Sequence, residues 1–564
     1  MWTWFVQMLR QHPELALFLT LALGYSVGKL RLGSIRLGPV VGVLIAGVVI
    51  GQLGVKVSSD LKTAFFLLFL FAIGYRTGPQ FFSGLKSSGF PQIALTALFC
   101  VSALALAYGA ARVLGYDAGT AGGLMGGATT ESATIGTATD AIQRLGLDPG
   151  QTQELLSNVA VAFAVTYFLT VLTNIGFLSR VAPRLLRVDL AAECAALEKS
   201  MGVVDETATA SGYRTFTFRA YRVEGEGFAG RTVREVEKTF FDRGQRLLVP
   251  RVRQKGAVTD TTPDTVIGRG DVLAIAGRRA NVISAQSAIG PEVEDKPLLD
   301  VDVEAADVVL TENAVVGRPL GDVVREAGPE LLRGVGVRKI TRAGVELPLA
   351  AGTRLARGDV VTLVGIPQDV ARVAAGLGYT DRPTNVTEMT LVGAAVFLGG
   401  IAGIPALRLG GLELGLSESV GVLLGGLVLG WLRSVHRRIP RLPEAVVALF
   451  DSLGLTAFLA VTAIAAGPDF VRGLQHSGPS LIVAGLVVAL VPQLLILLAG
   501  KFLFRMHPGI LLGVCCGAGT SAPALAAVQE VAKSKVPTLG YGVTYAVGNV
   551  LLALWGSVIV ALVH

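Results

Sequence analysis

Gly126-Gly127-Ala128-Thr129-Thr130-Glu131-Ser132-Ala133 interrupts an apolar run with small and polar residues, and Gly517-Ala518-Gly519-Thr520-Ser521-Ala522-Pro523-Ala524 does the same at the matching place near the far end of the chain. In hydrocarbon every backbone N–H and C=O has to be satisfied by protein, so unwound backbone at membrane depth survives only where it lines an internal cavity. Matched interruptions in two halves of a repeat point to the binding site of a secondary transporter.

The surrounding composition agrees. Of 564 residues, 52% are hydrophobic and only 16% charged, a balance that excludes an ordinary soluble enzyme. Apolar stretches of spanning length, roughly 20 residues, recur from 14 to 180 and from 387 to 563, whereas 185 to 385 is charged and proline-punctuated. The net charge of +7 does not imply nucleic acid, because most Lys and Arg lie in the middle block or at segment ends, where they set orientation. Cys100, Cys194, Cys515 and Cys516 show neither a CxxC spacing nor a disulfide framework, and the five histidines form no cluster, so no metal or cofactor is expected. The N-terminus has no basic region leading into a cleavable signal, and the stretch from Leu15 reads as a retained first helix.

Six apolar segments mark each half: 14–31, 36–54, 61–78, 91–114, 119–142 and 154–179, then 388–405, 415–433, 445–467, 479–503, 508–532 and 537–563. Gly78-Pro79-Gln80-Phe81 matches Gly467-Pro468-Asp469-Phe470, and Val41-Gly42-Val43-Leu44 matches Val420-Gly421-Val422-Leu423, in order and near-constant spacing. If the fifth segment of each half enters and leaves on one side, each half crosses five times and the second copy lies upside down relative to the first. With the N-terminus outside, the inner loops then collect Lys29, Arg76, Lys86, Arg180, Arg184, Arg187, Arg433, Arg437, Arg438, Arg441, Lys501 and Arg505, and the outer loops keep fewer basic residues. The expected fold is a polytopic α-helical membrane protein: an inverted repeat of five transmembrane helices plus one re-entrant hairpin per half, around a cytoplasmic α+β insert. Both termini are expected outside.

The insert is itself duplicated. Gly230-Arg231-Thr232-Val233 recurs as Gly317-Arg318-Pro319-Leu320, and Gly268-Arg269-Gly270-Asp271-Val272-Leu273 recurs as Ala356-Arg357-Gly358-Asp359-Val360-Val361, where Gly-Asp is a turn delivering a buried strand.

Arg76, in Gly74-Tyr75-Arg76-Thr77-Gly78-Pro79, is the sharpest single residue, since its counterpart in the second copy is Ala465. A charge in a membrane segment costs at least about 2.5 kcal/mol. Two readings stand: its fork grips a carboxylate, or the chain snorkels to the inner headgroups. The first hairpin offers the hydroxyls of Thr129, Thr130 and Ser132, the second those of Thr520 and Ser521, and freed N–H groups at either helix start suit an anion. Tight packing of small residues is the alternative. Glu131 takes a proton, binds an ammonium group or caps a helix. Asp451 either pairs with Arg437 or Arg441 or acts as a coupling group, and Tyr167 and Tyr545 match between repeats in a way that suggests packing. Asn174 and Asn549 read as interhelical hydrogen-bond donors. The expected substrate site comprises Tyr75, Arg76, Ala128, Thr129, Thr130, Glu131, Ser132, Gly519, Thr520, Ser521 and Ala522, with no catalytic residue.

Two membrane halves with these hairpins, the Gly-Tyr-Arg-Thr-Gly-Pro helix and a duplicated insert resemble the aspartate:alanine exchanger family, and each insert copy resembles the regulator-of-conductance domain TrkA-C. The resemblance implies domains at 1–185, 205–292, 297–380 and 386–564. It also implies an antiporter of amino acids or dicarboxylates in the bacterial inner membrane that forms a homodimer. Its partners would be a small anionic amino acid or dicarboxylate, the lipid bilayer and a regulatory ligand on the insert. A sodium- or proton-coupled dicarboxylate carrier and, further off, a regulator-gated ion channel are the competing expectations.

Overall fold

Proline in the first turn and acid or hydroxyl caps start the membrane helices where the sequence changes from polar to apolar. The computed structural model describes all residues except 33–34, 37, 87–88, 203–215, 226, 243–244, 246, 343–344, 382–387, 410–411, 416, 437–438 and 441. They form two units, Met1–Leu197 with Pro383–His564, and Glu198–Arg382.

In the membrane unit, α1 (Trp2–Gln11) precedes α2 (Pro13–Gly28), and a short antiparallel ladder of β1 (Arg31–Leu32) and β2 (Ile35–Arg36) leads to α3 (Gly38–Gly51). Then come α4 (Ser59–Lys86), α5 (Phe90–Leu114), α6 (Ala118–Ala128), α7 (Ala133–Arg144) and α8 (Pro149–Gly176), the last running through a π-turn at Phe177–Val181 into α9 (Ala182–Leu186) and α10 (Leu190–Ser200). Asp117 caps α6 by accepting from Thr120 N, and Asp148 caps α8 by accepting from Gly150 and Gln151 N.

The insert holds two five-stranded antiparallel sheets. The first contains β3 (Phe216–Arg222), α11 (Val233–Phe241), β4 (Leu247–Gln254), β5 (Ala257–Asp260), β6 (Val272–Arg278), α12 (Arg279–Ile289), β7 (Glu292–Val293) and α13 (Lys296–Leu299), with strand order β5-β4-β6-β3-β7. The second has β8 (Glu304–Leu310), α14 (Leu320–Leu331), β9 (Val335–Arg342), β10 (Val345–Glu346), β11 (Val360–Gly365), α15 (Pro367–Leu377) and β12 (Gly378–Asp381), in the equivalent order β10-β9-β11-β8-β12. The Gly-Asp motif is explained in both copies. Gly270 and Gly358 supply φ of 86° and 83°, and the following aspartates turn back to accept from the N–H groups of Gly268 and Ala356 at 2.6 and 2.7 Å. The expected helix start at Thr232 is a full capping box with Glu235. Residues 205–215, the expected opening of the first copy, lie outside the described residues.

The second membrane half repeats the first: α16 (Met389–Gly403), the ladder of β13 (Ala406–Leu409) and β14 (Leu412–Gly415), α17 (Glu418–Val435), α18 (Glu444–Phe502), α19 (Pro508–Ala518), α20 (Ala522–Ala532) and α21 (Thr538–Val563). Its close contacts repeat too. Gly24 and Gly28 of α2 press on Gly42 of α3, as Gly399 and Gly403 of α16 press on Gly421 of α17. Gly51 of α3 lies on the carbonyl of Ile464 in α18, and its match Gly430 lies on that of Tyr75 in α4. Thus each α3-like helix packs on the other half's α4-like helix, and the core between them is aromatic, with Phe66 and Phe458 rings 4.5 Å apart.

Seven helical segments among the described residues are long and apolar enough to cross a membrane: in α4, α5, α8, α17 and α21, and two in α18. The chain is a multi-pass membrane protein. Three expected crossings, α2, α3 and α16, are shorter, at 16, 14 and 15 residues, and a β ladder follows α2 and α16. The amphipathic α1 was not expected; it buries Leu9 against Ile50, Val55 and Ile464.

Candidate functional site

Both breaks lie where the sequence places them, and both are shorter than the quoted stretches. Thr129 to Ser132 separate α6 from α7, and Gly519 to Ser521 separate α19 from α20. Thr130 and Thr520 each turn the chain with a left-handed φ, 55° and 49°. That conformation is costly for a β-branched residue and persists only when its surroundings fix it. Here they do, because the tips meet. Thr130 Oγ1 donates to the Gly519 carbonyl at 2.8 Å, and Thr520 Oγ1 donates to the Thr129 carbonyl at 3.4 Å.

Each tip is backed by the helix that follows it. A side chain at Gly127 would strike the Thr166 hydroxyl and Phe163 carbonyl of α8, and one at Gly517 would strike the Thr544 hydroxyl and Tyr541 carbonyl of α21. Phe163 and Tyr167 stack beside the first tip, Tyr541 and Tyr545 beside the second, with centroids 4.9 and 5.0 Å apart.

Glu131 is buried, and its Oε1 accepts from Ala133 N at 3.1 Å, so it caps α7; its carboxylate also faces the Thr520 hydroxyl. Ser521 caps α20 through Ala524 N, whereas Ser132 makes no side-chain capping bond. Ala128 and Thr129 are buried, the Thr129 hydroxyl donating back to Met125 O, while Ala522 is exposed.

Arg76 Nη1 donates to Asp451 Oδ2 at 2.7 Å, with both side chains about a third exposed, at 31% and 30%. Asp451 was expected to pair with Arg437 or Arg441, which lie outside the described residues; the partner present is Arg76, from the other half. The pair lies within electrostatic reach of the hairpins: Asp451 acts on Glu131, and Arg76 acts on Tyr541 and Tyr545. Tyr75 stands apart, its ring under the Arg433 guanidinium and its hydroxyl accepting from Leu442 N.

Asn549 departs from expectation. Asn549 donates within its own helix, to Tyr545 O, and does not bridge helices. Gln493, not singled out in the sequence, is fully buried beside Gly519; its Nε2 donates to Cys515 O, and its Oε1 has no hydrogen-bond partner. The signal was Pro492-Gln493 inside an apolar run.

A family model described as Predicted Permease Membrane Region, Asp-Al_Ex, matches the chain twice, over residues 16–182 and 391–561. The chain belongs to this permease family. An uncharacterized transporter of Shewanella oneidensis is 37% identical over 99% of both chains, and one of Bradyrhizobium diazoefficiens is 39% identical over 92% of this chain and all of its own. A third, from Zymomonas mobilis, is 34% identical over 98% of each. No solved structure matches. The two matched segments of the permease bracket the insert and carry both hairpins, the Arg76–Asp451 pair and Gln493, so these residues sit in a membrane transporter.

Proposed function

We propose that the permease is a secondary antiporter of small anionic amino acids or dicarboxylates, working by alternating access with both hairpins at the substrate site. One observation carries the reading: the paired hairpin tips meet, and an arginine of the membrane region lies within electrostatic reach of the tyrosines beside the second tip. The Asp451 contact uses Nη1 alone, so the rest of the Arg76 fork is left for a substrate carboxylate. Ser132, whose hydroxyl makes no capping bond, is the tip group left to orient the substrate's other polar groups. The inverted arrangement of the halves, the bacterial inner membrane, the homodimer and a TrkA-C-like regulatory insert on the cytoplasmic side belong to the same proposal.

The test is counter-transport. Purified protein in liposomes loaded with alanine, aspartate, succinate or nothing is offered labelled aspartate. Uptake that requires an internal amino acid or dicarboxylate is expected. Uptake into empty vesicles that follows a sodium or proton gradient overturns antiport in favour of a coupled carrier.

A further inference from the structure

The second arms of the two hairpins are held differently. On α7, the residues from Ala133 to Thr139 are all buried. Thr134 Oγ1 donates to Leu552 O at 2.8 Å, Thr137 Oγ1 to Ala553 O at 2.6 Å, and Ser557 Oγ to Thr137 O at 3.2 Å, stitching the arm to α21. On its other side the Phe66 ring of α4 lies against Gly136, and the Ser419 hydroxyl of α17 donates to the Asp140 carboxylate. Lys62 and Arg144 attract Asp140 and Glu418 repels it.

Counting from the paired threonines, Thr130 and Thr520, the matching positions on α20 are Ala524, Ala526, Ala527 and Glu530. The stitching hydroxyls are alanines there. The stripe Ala522, Ala526, Glu530, which matches Ser132, Gly136, Asp140, is exposed along its length. The clamp residues are also missing. Through the Gly78-Pro79 and Gly467-Pro468 match, Lys62, which attracts Asp140, corresponds to Asp451, so the second half carries a carboxylate where the first carries a cation. Through Gly42 and Gly421, Ser419 corresponds to Val40. Arg76 and Asp451 are partly exposed, at 31% and 30%, which agrees with an open side beyond α20.

We infer that Asp140 and Ser419 latch one of two gates: they hold the first hairpin's arm shut against α4 and α17, while the second hairpin's arm stands open toward Arg76. The inference rests on the two-hairpin antiport reading, in which the first gate faces outside and the second inside. Asp140 and Ser419 are positioning residues that act through the arm. The latch has to break for the carrier to open outward.

The matched stripe gives the experiment. Ser132→Cys and Ala522→Cys are introduced separately into the full chain, whose four native cysteines are buried, and the unmodified chain serves as the blank. An impermeant maleimide is applied to right-side-out and inside-out vesicles. Ala522→Cys is expected to label in inside-out vesicles, and Ser132→Cys in neither. Adding Asp140→Asn or Ser419→Ala to Ser132→Cys is expected to raise its labelling from outside by about tenfold, the change a lost hydrogen bond to a charged group produces. Ser419→Ala removes only a hydroxyl and decides the question alone if Asp140→Asn does not accumulate. Unchanged shielding of Ser132→Cys in a latch variant that purifies as a single folded species overturns the latch. Altered shielding without counter-transport in the parent chain retains the latch and overturns antiport.

Discussion

The first hairpin turns at Thr130 and the second at Thr520, with the same left-handed backbone, the same glycine seat and the same hydroxyl-to-carbonyl bond to the opposite tip. Their flanks diverge: the first has a buried glutamate, a threonine-stitched arm and a carboxylate held by serine, while the second has alanines, Pro523 and an exposed glutamate. Duplication preserves what the backbone needs, namely small residues at close approaches and satisfied carbonyls. Side chains that set charge and opening are free to differ, because a transporter must bind an oriented substrate and open one side at a time.

The largest effect is expected where the halves differ in charge. Arg76→Ala strands Asp451 and removes the carboxylate fork, and counter-transport should fall about a hundredfold or more; Ala465→Arg in the same background should not restore it. Restoration would mean that the two α4-like helices are interchangeable. The next effect tests likeness. Gly127→Val and Gly517→Val each force a side chain into the threonine and carbonyl behind the tip, and overpacking of this kind costs roughly 1–3 kcal/mol. Thermal unfolding in detergent should drop by similar amounts for both, and a one-sided loss would break the structural equivalence.

Smaller again is the contrast between arms. Thr134→Ala with Thr137→Ala should cost roughly 1 kcal/mol, since interhelical hydrogen bonds in membranes average about 0.6 kcal/mol each. Ala526→Ser, on the exposed stripe of the second arm, should leave the unfolding midpoint unmoved. The smallest effect lies outside the hairpins. Asp295 in the insert is held below its usual value of 3.8 chiefly by its bond to Arg253. A depressed carboxyl contributes stability that is present above the unfolded value and lost as pH falls through the folded one. The amide I β-sheet band should therefore melt at lower temperature below about pH 4, and Arg253→Gln should flatten that dependence.

Both breaks, every apolar segment and the insert's duplicated turns were legible in the sequence, because each follows from local chemistry: apolar length, glycine spacing, Gly-Asp before a strand. The Arg76–Asp451 pair was not, since its members lie in different halves and nothing local couples them. Asp140 and Ser419 were missed for the same reason. Gln493 was hidden by its apolar neighbours.

The crossed bonds between Thr130 and Gly519 and between Thr520 and Thr129 have a mechanical consequence. Separating the tips would break both bonds at once, because each threonine donates to the other hairpin's backbone. In the proposed antiport cycle the tips would act as a common hinge pin, with the motion left to the arms that run from it. On that proposal a knot of two threonines would be the fixed point, and the swing of one short helix the travel.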